Sequence, residues 1–126
     1  MLDDLNAFFM SFVYAKRGVI HGSAHGRNMK IHTFFALLVI LFALLFELSS
    51  LEWFIVLICI GVVLAAELFN SAIEDLCNLV RDCLKLPYSA TTHARDMAAG
   101  AVLVLSLISA VIGVWIFLPK FISLIF

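Results

Sequence analysis

The sequence is poor in charged residues. They make up 13% of its 126 residues, whereas 64% of the residues are apolar. Soluble domains carry about 25% charged residues, and a chain this short has too little interior to hide so many apolar side chains. A soluble enzyme, a disordered linker and a nucleic-acid-binding module are therefore excluded. The remaining class is an integral membrane protein with a single domain.

Common nucleotide and metal motifs are absent as well. The sequence contains no GxxxxGK[ST] loop, so a nucleotide would have to be held without that motif. It has no CxxC motif and no zinc-finger spacing, and its three cysteines cannot all pair. We therefore expect three reduced thiols without a metal or redox function.

Three long apolar stretches are candidates for membrane spans. A spanning helix needs about 20 apolar residues, and each span must be helical because backbone groups in lipid have to bond internally. We predict an all-α membrane domain over residues 1–126. Its spans are expected at about 30–48, at about 53–81 with a cytoplasmic extension, and at about 92–119.

The segment before the first span, about residues 2–25, is predicted to be an amphipathic helix on the membrane surface. Its apolar residues recur at roughly helical spacing, and Asn6, Ser11, Lys16 and Arg17 interrupt them. Two roles stay open for this helix: an anchor alone, or an anchor that also covers an active site at the membrane edge.

The distribution of basic residues predicts the orientation. Seven of the eight lysines and arginines lie before the first span or between the second and third spans, and only Lys120 lies at the opposite end. Basic segments next to spans face the cytoplasm. We therefore expect the N-terminus in the cytoplasm and the C-terminus outside.

A polar stripe interrupts the second apolar stretch. Glu67, Asn70, Ser71 and Glu74 lie at positions i, i+3, i+4 and i+7, which places them on one face of a helix. An ionisable residue in a span is costly and usually faces a partner, water or a functional site. The stripe suits a base near the lipid and a divalent-cation ligand closer to water. The alternative is the ordinary solvated end of a helix.

A second polar cluster, residues 91–96, precedes the third span. Arg95 can bind a phosphate through several donors, and Asp96 can orient that arginine or accept a hydrogen bond from a nucleotide. The alternative interpretation is a helix start with charges at the membrane interface.

Both clusters resemble signatures of a known family. The run AELFNSAIE at residues 66–74 strongly resembles the prokaryotic diacylglycerol kinase family, which includes undecaprenol kinases, and ARDMAAGAV at residues 94–102 resembles its second signature. The run RNMKIH at residues 27–32 is similar to the N-terminal half of the family. The resemblance covers about residues 8–118.

The resemblance implies a homotrimer of three-span protomers in a bacterial inner membrane. It also implies transfer of the ATP γ-phosphate to a lipid alcohol, diacylglycerol or undecaprenol, at the cytoplasmic interface, with Mg²⁺. Glu67 resembles the base that activates the lipid hydroxyl, and Glu74 resembles a magnesium ligand. The candidates for binding nucleotide or phosphate are Asn70, Arg95, Asp96, Lys16 and Arg17.

Three positions depart from the family's pattern. Gly26 stands where the family has a glutamate that ligates magnesium, Asn78 stands in place of an aspartate, and Arg95 stands in place of a lysine. Two hypotheses therefore remain. One is a lipid kinase with an altered metal or nucleotide site, and the other is a catalytically impaired relative that binds lipid or a membrane partner.

Overall fold

The protein is a bundle of long helices. The computed structural model describes residues 2–126, apart from the side chains of residues 2, 3, 24 and 25. Its helices are α1 (Leu2–His25), α2 (Arg27–Leu45), α3 (Ser50–Leu84) and α4 (Thr92–Ile125), with a short 3-10 turn (Tyr88–Thr91) before α4. No strand occurs in the described part of the chain. The predicted all-α class is therefore confirmed.

Three of these helices are long and apolar enough to cross a membrane, so the protein is a multi-pass membrane protein. The 35 residues of α3 extend about 50 Å at 1.5 Å per residue, which exceeds a hydrocarbon core about 30 Å thick. One end of α3 must therefore reach water. The α2 helix ends at Leu45, before the predicted end of the first span at residue 48, because residues 46–49 form the turn to α3.

Both ends of α3 are fixed by local hydrogen bonds. The Ser49 hydroxyl accepts from the backbone N–H of Glu52 at 3.4 Å, and the Glu52 carboxylate accepts from the backbone N–H of Ser49 at 2.7 Å. At the other end, Lys85 adopts a left-handed conformation with φ 53°, and its N–H donates to the carbonyl of Arg81. These two caps fix the ends of α3, the helix that carries the polar stripe.

The packed core lies at the end of the bundle opposite the polar stripe. Ala43, Leu48, Val56 and Ile116 form a buried cluster where α2, α3 and α4 meet. Four phenylalanines surround it in edge-to-face and stacked contacts, namely Phe42, Phe46, Phe117 and Phe121. An ion pair between Lys120 Nζ and Glu52 Oε1, 3.2 Å apart, joins α4 to α3 at this end. The other end is left free for polar groups.

Many large apolar side chains on α2, α3 and α4 are exposed in the single protomer. Trp115 is 83% exposed, Phe69 is 73% exposed and Val111 is 69% exposed. A surface this apolar is not found on soluble monomers. It suits contact with lipid tails or with further membrane helices.

The α1 helix approaches the bundle through its last turn. Gly22 is buried, and a Cβ placed there would lie 2.5 Å from Leu68 Cδ2 on α3. Gly26 directly precedes α2, and a Cβ there would lie 3.5 Å from Ser71 Oγ in the polar stripe. Most of α1 is otherwise exposed, including Phe8. The α1–α2 junction therefore lies against α3, and Gly22 permits the close approach to Leu68.

Candidate active site

Among the residues whose side chains the structure describes, Glu67 and Asn70 are the buried polar ones. Each is 2% exposed. The Glu67 Oε2 and Asn70 Oδ1 atoms are buried and find no hydrogen-bond partner among the described residues. Buried polar groups in proteins are nearly always paired, and an unpaired one often marks a functional site or an absent ligand. Both atoms are therefore candidates to contact a substrate.

Glu74 fixes the amide of Asn70. The Asn70 Nδ2 donates to Glu74 Oε1 at 3.3 Å. The two residues are one helical turn apart, so the bond follows from their i, i+4 spacing. Because the amide nitrogen is engaged, the amide oxygen is left as the free acceptor. Glu74 itself is half-buried.

Two titratable side chains lie near Glu67. They are Glu74 on the same helix and His32 on α2. His32 is half-buried and lies in the second turn of α2. Its proximity to Glu67 was not anticipated from the sequence, where His32 belongs to the RNMKIH run that resembles the family.

Arg95 is held in place by three neighbours. Its Nε donates to Thr91 Oγ1 at 3.2 Å, and its Nη2 donates to Asn78 Oδ1 at 3.0 Å. Its guanidinium carbon lies 4.9 Å from the centre of the Tyr88 ring, a cation–π contact. A guanidinium has five N–H donors, so donors remain for a phosphate. Asn78 follows Glu74 by one helical turn, which places Arg95 beside the shallow end of the stripe.

The other predicted phosphate-binding residues are exposed. Asp96 lies just after the first turn of α4, and Lys16 and Arg17 lie in the middle of α1. In the described part of the protomer, none of the three forms a bond with the polar stripe. One protomer thus groups Glu67, Asn70 and Glu74, with Arg95 at their edge. It does not bring the remaining three into the same site.

Glu74 is the carboxylate of the stripe that could ligate magnesium together with a nucleotide. Within the described residues, no three His, Cys, Asp or Glu side chains are close enough to form a metal site. Magnesium usually keeps several waters and is held by one or two carboxylates together with phosphate oxygens. Glu74 can provide such a carboxylate, and the buried unpaired Asn70 Oδ1 lies one turn away.

Comparison with known proteins decides the family. Residues 13–117 match the model of the prokaryotic diacylglycerol kinase family. The chain belongs to the prokaryotic diacylglycerol kinase family. The family predicted from the two signatures is therefore confirmed, and membership places the chain among the lipid kinases.

Two relatives of this family member are similar over most of their sequence. An undecaprenol kinase of Bacillus subtilis (strain 168) is 42% identical over 118 residues, which are 94% of each chain. A diacylglycerol kinase of Synechocystis sp. is 33% identical over 115 residues, which are 91% of this chain and 65% of the relative. No solved structure gives a significant match.

Proposed function

We propose that the protein transfers the γ-phosphate of ATP to a lipid alcohol at the cytoplasmic face of a bacterial inner membrane. The placement of Glu67 carries this proposal. Its carboxylate is 2% exposed, and it lies seven residues before Glu74, which is about 10 Å along the helix at 1.5 Å per residue. A lipid hydroxyl reaches the site from the membrane and ATP reaches it from water. Glu67, the proposed base, lies nearer the membrane interior, and Glu74 lies nearer the water. This arrangement matches the two directions from which the substrates arrive.

In the proposed reaction the lipid hydroxyl attacks the γ-phosphorus. The new oxygen–phosphorus bond forms as the bond from the γ-phosphorus to the β–γ bridging oxygen breaks, and ADP leaves. Glu67 accepts the hydroxyl proton. The second Nδ2–H of Asn70 can donate to a phosphate oxygen, and Arg95 can offset phosphate charge. Mg²⁺, when bound with the nucleotide at Glu74, would neutralise further phosphate charge.

The relatives favour undecaprenol over diacylglycerol as the lipid alcohol. The relative named undecaprenol kinase shares 42% identity over 94% of each chain, whereas the relative named diacylglycerol kinase shares 33%. Wild-type protein in lipid nanodiscs, supplied with radiolabelled ATP and one lipid alcohol at a time, tests this proposal. Faster phosphorylation of diacylglycerol than of undecaprenol would contradict it.

Glu67→Gln tests the base, because it keeps the size of the side chain and removes the carboxylate. Turnover should fall by about 10²-fold or more, the usual scale for a general base, while ATP binding should change little. Glu47→Gln, in the exposed turn between α2 and α3, is the matched control. Near-normal turnover of the Glu67 variant would leave that carboxylate with a structural role only.

A binding protein without turnover is the second candidate. Gly26 favours it, because the position beside Ser71 carries no carboxylate for a metal. Pure, folded wild-type protein that phosphorylates neither lipid alcohol at any magnesium concentration would support this second function over the first.

We also propose a trimer with a site shared between protomers. Lys16, Arg17 and Asp96 lie apart from the stripe within one chain, and contact between protomers offers a way to bring them to it. The extensive apolar surface of the protomer supports such contacts. Mass measurement in mild detergent tests the trimer. A fully active monomer would remove the argument for a shared site.

The proposed orientation has its own test. Cysteine replaces either Ser50, at the start of α3, or Ser89, in the turn before α4, and both positions are exposed. A reagent that does not cross membranes, added to whole cells, should label position 50 and spare position 89. The reverse pattern would contradict the orientation.

A further inference from the structure

We propose that His32 is a positioning residue for Glu67, and that a rotation of its side chain during the reaction lets its imidazole N–H donate a hydrogen bond to the carboxylate oxygen that is unpaired in this structure. The bond would hold the other carboxylate oxygen towards the lipid hydroxyl. The inference rests on the proposed role of Glu67 as the base, and it adds a residue from a different helix to that role.

The register of α2 and α3 places His32 and Glu67 at nearly the same depth along the helix pair. A tight turn joins the helices, so they run antiparallel. At one end Gly26 lies opposite Ser71, with 3.5 Å from a Cβ on the glycine to Ser71 Oγ. From this contact, six residues along α2 advance about 9 Å to His32, and four residues back along α3 cover about 6 Å to Glu67. The depths of the two side chains therefore differ by only about 3 Å.

The opposite end of the helix pair supports the same register. Ala43 of α2 and Val56 of α3 belong to one buried core cluster. The residue numbers of this pair sum to 99, as do those of His32 and Glu67. The residue numbers of the Gly26–Ser71 contact sum to 97, so the two ends of the helix pair agree to within two residues, or about 3 Å, and they place His32 and Glu67 at similar depths.

The apolar surroundings of His32 favour pairing of its imidazole with the Glu67 carboxylate. His32 lines a cavity of about 570 Å³ bounded by α2, α3 and α4, together with Val63 and Leu64 from the turn of α3 just before Glu67. The cavity wall is almost entirely apolar. Ser106 is one of its few polar residues. A half-buried imidazole beside such a wall gains most by pairing with the carboxylate whose Oε2 is buried and unpaired.

A hydrogen-bond donor at position 32 would fix the orientation of the Glu67 carboxylate. A general base must lie within about 2.6–3.2 Å of the proton that it accepts, and a carboxylate free to rotate satisfies that distance only part of the time. A hydrogen bond to one oxygen fixes the plane of the group. Hydrogen-bond partners behind a metal ligand typically contribute about 10- to 100-fold in affinity or activity, and we expect the same scale for a partner behind this base.

His32→Ala and His32→Gln test the proposal in nanodiscs with magnesium, ATP and the lipid alcohol that the wild type phosphorylates. The alanine variant should lower kcat by about 10- to 100-fold and leave KM for ATP within about twofold. Glutamine retains an N–H donor and should recover much of the loss. Thr33→Ala changes the exposed neighbour on α2 and is the matched control.

A double-mutant cycle with Glu67→Gln separates positioning from a structural effect. If His32 acts through the carboxylate, its replacement should cost nothing further once Glu67 is glutamine. An equal loss of kcat in both backgrounds would overturn the proposal, as would a His32→Ala variant with wild-type kcat. Near-normal turnover of Glu67→Gln alone would instead refute the proposed base.

A second pair of variants covers the case in which His32→Ala does not fold. His32→Leu fills the space without a donor, and His32→Gln fills it with one. We expect high turnover from the glutamine variant and low turnover from the leucine variant. Equal turnover in folded samples of both would overturn the proposal.

Discussion

Replacing Gly26 by glutamate should lower the magnesium concentration that is needed for half-maximal activity. A Cβ at this position would lie 3.5 Å from Ser71 Oγ, and Ser71 precedes Glu74 by three residues on the same helix face. The new carboxylate would therefore lie within side-chain reach of Glu74, at the end of the stripe that is nearer the water. Two carboxylates and the phosphates of ATP would then surround the ion.

The expected gain can be worked from Coulomb's law. A divalent cation and a carboxylate about 5 Å apart attract by about 1.7 kcal/mol in surroundings with the dielectric constant of water. That energy corresponds to a little more than tenfold in affinity, and direct coordination would add to it. The magnesium concentration for half-maximal activity should therefore fall by about tenfold or more.

The structural cost of this substitution should be small. Gly26 has φ −78° and ψ 119°, a conformation open to any residue. The new Cβ would lie 3.1 Å from Met29 Cβ and 3.2 Å from the carbonyl oxygen of Gly22, so these neighbours must shift by a few tenths of an ångström. Mild overpacking of this kind costs about 1 kcal/mol, which leaves the protein folded.

Magnesium titration of kinase activity at fixed ATP is the assay, with Gly26→Gln as the control. Glutamine has the size of glutamate and imposes the same crowding, but it lacks the charge. Thermal unfolding of both variants checks that they lose stability equally. The reasoning is refuted if the two folded variants show the same magnesium dependence.

Two further substitutions test the contacts around the stripe. Asn78→Ala removes the acceptor of the 3.0 Å hydrogen bond from Arg95, a bond that contributes about 1 kcal/mol. KM for ATP should therefore rise by about fivefold with little change in kcat, and an unchanged KM would argue against Arg95 as a nucleotide-binding residue. Gly22→Val would force either the Leu68 side chain or α1 to shift, at a cost of about 1–3 kcal/mol. Gly18→Val should cost less, since a Cβ there meets no described atom within 4 Å. Equal loss of thermal stability in both valine variants would show that the Gly22 contact is not required.

The sequence by itself determined the helices and the stripe. Apolar runs of spanning length can only be helices in lipid, so α2, α3 and α4 follow from composition. Once α3 is helical, the spacing of Glu67, Asn70 and Glu74 places them on one face. The hydrogen bond between Asn70 and Glu74 is local for the same reason. The family could also be recognised from the sequence, because each of its two signatures lies within a single helix.

Only the tertiary structure decided which residues meet across helices. Arg95 and Asn78 each depart from the family pattern, and the structure joins them although 17 residues separate them. The approach of Gly26 to Ser71 and the shared depth of His32 and Glu67 likewise depend on the antiparallel register of α2 and α3. That register is set by the length of the turn at residues 46–49 and by the packing of Ala43 and Val56. Helical periodicity fixes the face on which a residue lies, but only the packing of two faces fixes its partner.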